Sequence, residues 1–261
     1  MKVVLFCGGL GTRLREHSNT IPKPLVDIGG RPILWHLMKY YAYYGHKDFI
    51  ICLGFKGEMI KEFFLTYNPY LTQNFTMSNG GKELVPEKSD IHDWNITFVD
   101  TGLHTNIGQR LYAVKEYLKD EEVFLANYSD QLSDLPLDEY LNKFLEGNKA
   151  AALLGVKPTQ KSYHVVSIEN DDTVLDIKPV SQSDHWINGG YFILRKEIFD
   201  YIREGEELVE EPLRRLIDEQ KLFAFRYAGF YACMDTFKDK IMFDRMNGCG
   251  ETPWAIWKKP M

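Results

Sequence analysis

Short apolar runs and segments of helical spacing alternate through the first part of the chain. Residues 2–7 form an unbroken β-branched and aliphatic run that ends at a glycine pair, which is typical of a strand buried on both faces of a parallel sheet. Apolar positions three and four residues apart then predict a helix over residues 32–44. Residues 49–53 repeat the strand pattern and residues 58–67 repeat the helical one. Strands and helices in this order predict an α/β fold with a doubly wound sheet.

The rest of the chain continues both patterns, with one interruption. The predicted elements are a strand over 95–99, a helix over 107–118, a strand over 123–126, a helix over 135–145, a strand over 150–156, a hairpin over 163–177, a strand over 190–194 and helices near 195–203 and 209–220. Residues 68–94 follow neither period, and we interpret them as an insertion that serves either a function or an oligomer contact. Because 261 residues suit one α/β core, residues 1–261 are expected to form a single domain.

Charge and composition narrow the range of partners. A net charge of -6 argues against nucleic acid, since binding many phosphates calls for a basic surface. The four cysteines show neither metal-binding nor disulfide spacing. No apolar stretch is long enough to cross a bilayer. We therefore expect a cytoplasmic protein that has no nucleic-acid and no membrane partner.

The candidate chemistry begins directly after the first predicted strand, with Gly-Gly-Leu-Gly-Thr-Arg-Leu over residues 8–14. Glycines at the carboxyl end of a strand let backbone N–H groups approach a phosphate chain, and Arg13 adds a guanidinium that binds phosphate. Lys23 stands between two prolines, which restrict the backbone and present its ammonium at a defined place. A glycine pair after a strand is also compatible with a simple tight turn. The segment matches neither G-x-G-x-x-G nor the P-loop pattern, so a dinucleotide fold and a P-loop NTPase are disfavoured.

Several short segments, taken together, resemble one family. They are residues 8–14, 22–24, 28–36, 54–57, 99–102, 186–190, 211–213 and 234–236. Through them the chain resembles the sugar-1-phosphate nucleotidyltransferases over nearly its whole length, and most of all the cytidylyltransferases that act on glucose 1-phosphate. The resemblance implies an α/β, Rossmann-like, three-layer fold with a doubly wound mixed sheet and insertions. It also implies Mg²⁺-dependent transfer of a nucleotidyl group from CTP to a sugar 1-phosphate, with α-D-glucose 1-phosphate as the default acceptor.

The resemblance also implies roles for individual residues. It assigns catalysis to Arg13 and Lys23, Mg²⁺ binding to Asp130 and Asp235, acceptor binding to Lys178 and Asn188, and nucleotide binding to Gly8, Gly9, Gly11, Thr12, Arg13, Lys23 and Arg110. These assignments suit the chemistry, because nucleotidyl transfer gains mainly from positioning and from charge stabilisation. The acceptor phosphate is already an anionic nucleophile, so no general base is needed.

Two of these residues have a simpler interpretation on spacing alone. Asp235 directly precedes Thr236-Phe237-Lys238 and is placed to cap a helix that starts there. Arg110 is placed to be an exposed charge on the helix predicted over residues 107–118. The sequence leaves these alternatives open.

The chain departs from the family pattern around the expected acceptor pocket. Gln109 replaces a glycine, Ile177 replaces a glutamate, residues 128–131 read Tyr-Ser-Asp-Gln in place of Tyr-Gly-Asp-Gly, and residues 163–166 also differ. Isoleucine accepts no hydrogen bond from a sugar hydroxyl, so the site loses an acceptor there. The alternatives are therefore a cytidylyltransferase for a different sugar phosphate or a non-sugar phosphate, or a non-catalytic nucleotide-binding paralogue.

The helix predicted over residues 32–44 is rich in aromatic residues. They are Trp35, Tyr40, Tyr41, Tyr43 and Tyr44. Aromatic residues at helical spacing usually belong to the core or to a subunit contact, and we expect a homo-oligomer. His36 in the same helix is interpreted as a packed residue without a catalytic role.

Overall fold

A computed structural model describes residues 1–11, 21–86, 89–159 and 163–258 of the chain. Its strands, in chain order, are β1 (Lys2–Phe6), β2 (Asp27–Ile28), β3 (Arg31–Pro32), β4 (Asp48–Leu53), β5 (Phe75–Ser78), β6 (Glu83–Pro86), β7 (Asn95–Asp100), β8 (Val123–Asn127), β9 (Gln131–Ser133), β10 (Ala151–Val156), β11 (His164–Ile168), β12 (Val174–Pro179), β13 (Ile187–Arg195), β14 (Leu222–Tyr227) and β15 (Tyr231–Cys233). Seven of them form one sheet in the order β14-β10-β13-β8-β1-β4-β7. Neighbours in this sheet are parallel except where β13 pairs with β10 and β8. The sheet is therefore mixed, with β13 as its antiparallel strand.

Helices cover both faces of this sheet. In chain order they are α1 (Ile33–Tyr43), α2 (Gly57–Leu65), α3 (Pro69–Thr72), α4 (Ile107–Ala113), α5 (Leu137–Leu145), α6 (Glu211–Asp218) and α7 (Phe237–Gly248). Val3 and Leu5 belong to the core that contains α1 and α5, whereas Val4 and Phe6 belong to the core that contains α4 and α6. Because successive side chains of a strand point to opposite faces, the apolar run of β1 serves two cores. This arrangement confirms the three-layer α/β fold predicted from the sequence.

Helix α1 ends where its sequence signal places it. Gly45 has a φ of 83°, a left-handed conformation that favours glycine just past a helix. The aromatic residues of α1 lie largely in the core, since Tyr40 and Tyr41 are each only 1% exposed. Tyr43 is 43% exposed. Core packing therefore accounts for most of this aromatic helix.

Two predicted segments differ from the structure in detail. The helix predicted over residues 107–118 consists of α4 followed by a separate 3-10 turn, Lys115–Leu118. Val114 and Leu118 are both buried, so the helical spacing is satisfied without one continuous helix. Residues 68–94 contain α3 and an antiparallel hairpin of β5 and β6. Within the described ranges, no helix combines the length and the apolar character needed to span a membrane.

The carboxyl ends of β1 and β8 lie side by side in the middle of the sheet, because these strands pair in parallel. After β8 the chain leaves the main sheet, and β9 pairs antiparallel with β15 in a separate sheet. This pairing puts Gln131 opposite Cys233. The residue before β9 and the residues after β15 therefore meet. They do so at the carboxyl edge of the sheet, where open α/β folds bind their ligands.

Candidate active site

Lys23 places its ammonium between two aspartates at this edge. It begins a 3-10 turn, Lys23–Leu25, and is flanked by Pro22 and Pro24. Its Nζ lies 2.5 Å from Asp130 Oδ2 and 2.6 Å from Asp235 Oδ1. The side chains of Lys23, Asp130 and Asp235 are 14%, 18% and 22% exposed. The structure thus brings together three charged residues, of which Lys23 and Asp235 are 212 positions apart in the sequence.

Asp130 is positioned by an unusual turn after β8. Ser129 has a φ of 68°, a left-handed conformation that costs energy for a residue with a Cβ atom. The Ser129 N–H donates to Asn127 Oδ1 at 3.0 Å, and Ser129 Oγ donates to the Phe6 carbonyl at 2.7 Å. These bonds hold the turn against the end of β1. The left-handed backbone also explains physically why a glycine suits this position in the family pattern.

Asp235 follows β15 and does not cap α7, although its position in the sequence suggested that it would. The N-cap of α7 is Thr236, whose Oγ1 accepts from the Asp239 N–H, while Asp239 Oδ2 accepts from the Thr236 N–H at 2.7 Å. This pair completes a capping box, so the interpretation of Asp235 as the helix cap is wrong. The Met234 N–H donates to the Asp130 carbonyl at 2.9 Å, which ties the two acidic segments together. The Asp235 carboxylate consequently reaches Lys23.

Burial and charge act in opposite directions on this cluster. Burial alone would lower the pKa of Lys23, but Asp130, Cys233 and Asp235 raise it above its ordinary value. Burial raises the pKa of Asp130, and the Lys23 ammonium opposes that rise. Lys23 therefore stays protonated, and one ammonium compensates only one of the two carboxylates. The cluster retains negative charge that favours a further cation.

The same cluster offers ligands for a metal ion. Among the described residues, one ligand atom each from Asp130, Cys233 and Asp235 lies within 4.8 Å of the other two. Asp130 Oδ1 is buried and has no hydrogen-bond partner in the described part of the chain. Two carboxylates together with substrate phosphates form the oxygen-rich surroundings in which Mg²⁺ is usually held. Asp130 and Asp235 therefore fit Mg²⁺.

The glycine loop and the charged cluster share a cavity of about 210 Å³. It is lined by Phe6, Cys7, Gly9, Gly11, Lys23, Pro24, Tyr128, Ser129, Asp130 and Asp235. Gly11 has a left-handed φ of 61°, and a Cβ atom on Gly9 would meet nothing within 4 Å. The loop thus presents backbone to the cavity, as a phosphate-binding loop requires. Thr12 and Arg13, to which the resemblance assigns phosphate contacts, lie outside the described residues.

Arg110 lies behind the glycine loop and does not line this cavity. The residue is 2% exposed, so its interpretation as an exposed helix charge is wrong. Its guanidinium donates to the carbonyls of Gly8, Leu53 and Gly102 at 3.1, 3.1 and 2.8 Å, and to Thr101 Oγ1 at 2.7 Å. A Cβ atom on Gly8 would lie 2.1 Å from Arg110 Nη1, so a side chain at residue 8 would displace the guanidinium. Arg110 thereby fixes the loop from behind, and its contact with a nucleotide stays a prediction.

The two predicted acceptor residues lie in different surroundings. Asn188 Nδ2 donates to the hydroxyl of Tyr128 at 3.3 Å, and Tyr128 lines the cavity. Lys178 lies on β12, where its nearest described ion-pair partner is Asp176 at 3.4 Å. The structure therefore connects Asn188 to the cavity wall, whereas Lys178 is not among the lining residues.

The structure accommodates two departures from the family pattern. Gly190 has a φ of 70°, and its missing Cβ atom would lie 2.1 Å from Gln131 Oε1, so Gln131 occupies space that Gly190 leaves. Gln109 Nε2 donates to the Arg203 carbonyl at 2.9 Å. Ile177, which replaces the acidic residue, is 64% exposed on the hairpin of β11 and β12. Gln131 and Gln109 therefore have space in the fold, whereas Ile177 removes a hydrogen-bond acceptor.

Cys233 is the member of the cluster that sequence reasoning missed. Burial raises the pKa of its thiol, and the nearby Asp130 adds to the rise. A signal was present, because Cys233 precedes Asp235 by two residues at the end of a strand, and alternate strand residues share a side. The spacing could be used only once Asp235 was known to face the site.

Comparison with known proteins identifies the family of the chain. Residues 2–231 match the family model described as nucleotidyl transferase. The chain is 38% identical over 259 residues to a "Probable glucose-1-phosphate cytidylyltransferase" of Bacillus subtilis (strain 168), covering 98% of this chain and all of that protein. It is 37% identical over 260 residues to the glucose-1-phosphate cytidylyltransferase of Salmonella typhi, covering 99% of this chain and all of that one. The solved structure of HddC from Yersinia pseudotuberculosis complexed with GMP-PN superposes with a TM-score of 0.63 at 22% identity, covering 94% of this chain and 99% of HddC, which supports the fold.

Proposed function

The chain belongs to the nucleotidyl transferase family and is a nucleotidyltransferase, and we propose that it uses CTP and glucose 1-phosphate as substrates. An oxygen of the sugar phosphate attacks the α-phosphorus of CTP. A new P–O bond forms while the bond to the bridging oxygen of the β-phosphate breaks. The products are CDP-glucose and pyrophosphate. The substrates are taken from the relatives that match this chain over nearly their full length.

The chain's own residues supply charge and position for this reaction. The backbone N–H groups of Gly9 and Gly11 receive the phosphates of CTP. Lys23 places a positive charge beside them, where the negative charge of the leaving pyrophosphate increases. Asp130 and Asp235 would hold Mg²⁺, which when bound neutralises phosphate charge. Arg110 acts indirectly, because it keeps the glycine loop in place.

One observation carries the proposal. A lysine lies 2.5 and 2.6 Å from two aspartates next to a glycine loop, at the carboxyl edge of a parallel region of the sheet. Buried charge of this kind is costly unless it is paired, and a purely structural core would not need it. An anionic substrate with a metal ion uses both signs of charge: the ammonium binds phosphate and the carboxylates bind the metal.

Pyrophosphate release from CTP and glucose 1-phosphate in the presence of Mg²⁺ tests the proposal directly. Asp130→Asn, Asp235→Asn and Lys23→Met are each expected to lower turnover by about 10²- to 10³-fold, since each removes charge that stabilises the transition state. Asp93→Asn is the matched control, because Asp93 is an exposed acid paired with Lys47. If the three site variants turn over as fast as Asp93→Asn, the proposed site is wrong.

One feature of the sequence favours an acceptor substrate other than glucose 1-phosphate. Ile177 replaces a glutamate near the expected acceptor pocket and removes one hydrogen-bond acceptor for sugar hydroxyls, and Gln131 replaces a glycine there. The alternative is the same cytidylyl transfer to another sugar phosphate or a non-sugar phosphate. A panel of phosphorylated acceptors in the pyrophosphate assay decides between them, because the physiological class should show the highest kcat/KM. CTP binding without pyrophosphate release for every acceptor would contradict both versions.

A further inference from the structure

The proposed function makes no use of Cys233, although its sulfur lies within 4.8 Å of a carboxylate oxygen of Asp130 and one of Asp235. One ligand atom each from Asp130, Cys233 and Asp235 falls within 4.8 Å of the other two. Cys233 ends β15 and Asp235 follows two residues later, which directs both side chains to the same side of the segment. A small cysteine at this point therefore adds a sulfur to a pair of hard oxygen ligands.

Two features of the structure indicate that these atoms surround a cation position. The Lys23 ammonium already lies there, 2.5 Å from Asp130 Oδ2 and 2.6 Å from Asp235 Oδ1. The other oxygen, Asp130 Oδ1, is buried without a hydrogen-bond partner in the described residues. A buried carboxylate oxygen without a partner is costly. A metal ion bound to this carboxylate through Oδ1 would give that oxygen a partner, and its charge would replace that of the ammonium.

We propose that Cys233 is a third metal ligand and that this site therefore binds thiophilic divalent cations, of the Zn²⁺ and Cd²⁺ class, more tightly than Mg²⁺. The proposal rests on the proposed function, which assigns the aspartate pair to a metal. Oxygen ligands alone favour hard cations such as Mg²⁺, whereas a thiolate shifts the preference toward soft and borderline metals. Zn²⁺ is consequently expected to compete with Mg²⁺ for the two aspartates.

Binding of such an ion changes two groups in a balanced way. The Cys233 thiol loses its proton to solvent as the bond between sulfur and metal forms. The Lys23 ammonium leaves the carboxylates with its charge unchanged, which its flexible four-carbon stem allows. Asp130 and Asp235 contribute oxygen ligands, so the protein supplies two oxygens and one sulfur. That leaves a further coordination position for water or for a substrate phosphate, as in open zinc sites.

Titration of the full chain with Cd²⁺ tests the assignment without any measurement of turnover. Cadmium bound to a thiolate has a charge-transfer band in the ultraviolet. We expect this band to reach its maximum when one Cd²⁺ has bound per chain. Cys233→Ser and Cys233→Ala should both lose this band and bind Cd²⁺ about 100-fold more weakly. Their affinity for Mg²⁺ should change far less, because Mg²⁺ gains little from sulfur. Cys249→Ser is the matched control, since Cys249 is a free and exposed cysteine, and it should keep the band.

The possible outcomes separate this proposal from the proposed function. If the band is absent from the unmodified chain, or persists in both Cys233 variants, Cys233 is not a ligand. Mg²⁺-dependent pyrophosphate release would in that case leave the proposed function intact. If instead Asp130→Asn affects neither Mg²⁺-dependent turnover nor the cadmium band, the metal assignment of the aspartates fails, and both proposals fail with it. Thermal unfolding of each variant in EDTA verifies that the chain is folded.

Discussion

Replacing Lys23 by methionine removes the ammonium between Asp130 and Asp235 while keeping an unbranched stem of similar length. Breaking a buried ion pair on one side typically costs about 3–5 kcal/mol, because the remaining charge is left without compensation. Protonation of one carboxyl sets a ceiling on this cost. For a carboxyl with an ordinary pKa near 3.9, protonation at pH 7 costs about 4 kcal/mol, and burial raises the pKa of Asp130, which lowers that figure. We expect Lys23→Met to lose about 3 to 4 kcal/mol of unfolding free energy at pH 7.

The size of this loss should depend on pH and on metal. Each pH unit below 7 reduces the protonation cost by about 1.4 kcal/mol, so the difference from the unmodified chain should shrink to about 1 kcal/mol at pH 5. A divalent cation replaces the missing ammonium. Mg²⁺ at a concentration about 100 times its Kd would return about 2.7 kcal/mol to the variant. The unmodified chain should gain less, because Lys23 must first leave the two carboxylates.

Urea unfolding, followed by tryptophan fluorescence at pH 7 and pH 5 with EDTA or with Mg²⁺, measures these differences. Lys47→Met is the matched control, since Lys47 pairs with Asp93 at 2.6 Å on the surface, with both side chains about two-fifths exposed. Its loss should stay within about 1 kcal/mol, as for other exposed pairs. The reasoning is refuted if Lys23→Met is as stable as Lys47→Met at pH 7. It is equally refuted if the loss of unfolding free energy in Lys23→Met is the same at pH 7 and pH 5 and is unchanged by Mg²⁺.

Three further predictions concern the scaffold around the site. Burial lowers the pKa of His36 from 6.5 to about 4, and its Nδ1 already accepts a hydrogen bond from Trp254 Nε1. The free energy of unfolding should therefore fall by about 3 kcal/mol as the pH drops from 6.5 to 4. His36→Gln should flatten this part of the pH profile of urea unfolding. Arg110→Met leaves several buried carbonyl groups without their donor and should lower the free energy of unfolding by about 3 kcal/mol in thermal unfolding. Replacement of the exposed Arg214 by methionine should change that free energy by no more than about 0.5 kcal/mol. Equal unfolding midpoints for the two variants would exclude a structural role for Arg110. Thr236→Ala removes the cap of α7 and should cost about 1 kcal/mol in the same assay, and a loss no greater than that of Arg214→Met would contradict the capping box.

Much of the fold and part of the site could be predicted because they depend on local patterns. The unbroken apolar run of β1 and the helical spacing of α1 each report burial directly, and the structure confirms both elements. Asp130 could be placed at the carboxyl edge because it follows a short apolar strand, and parallel strands end at the same edge. The capping box is equally local, since Thr236 and Asp239 have the spacing of that motif, although the prediction placed the cap at Asp235.

The remaining features of the site depend on contacts between residues that are distant in the chain. Arg110 belongs to the core because carbonyls from the glycine loop after β1, from β4 and from the loop after β7 converge on its guanidinium. No periodicity on α4 indicates this, since a charged helix residue is more often exposed. Cys233 is adjacent to Asp130 because β9 pairs with β15 across about 100 residues of sequence.

The family resemblance implied the metal roles of Asp130 and Asp235, whereas local sequence patterns predicted the α/β class, the main strands and helices, the glycine loop and the charged residues suited to phosphate. These features follow from hydrophobic period, backbone preference and side-chain chemistry, which act within a few residues. The three-dimensional fold was needed to show that Lys23 lies between Asp130 and Asp235, that Arg110 supports the loop from behind, and that a thiol lies near the two acids. Pairing between strands that are distant in the sequence and the burial of charged side chains create these contacts, and hydrophobic periodicity indicates neither of them.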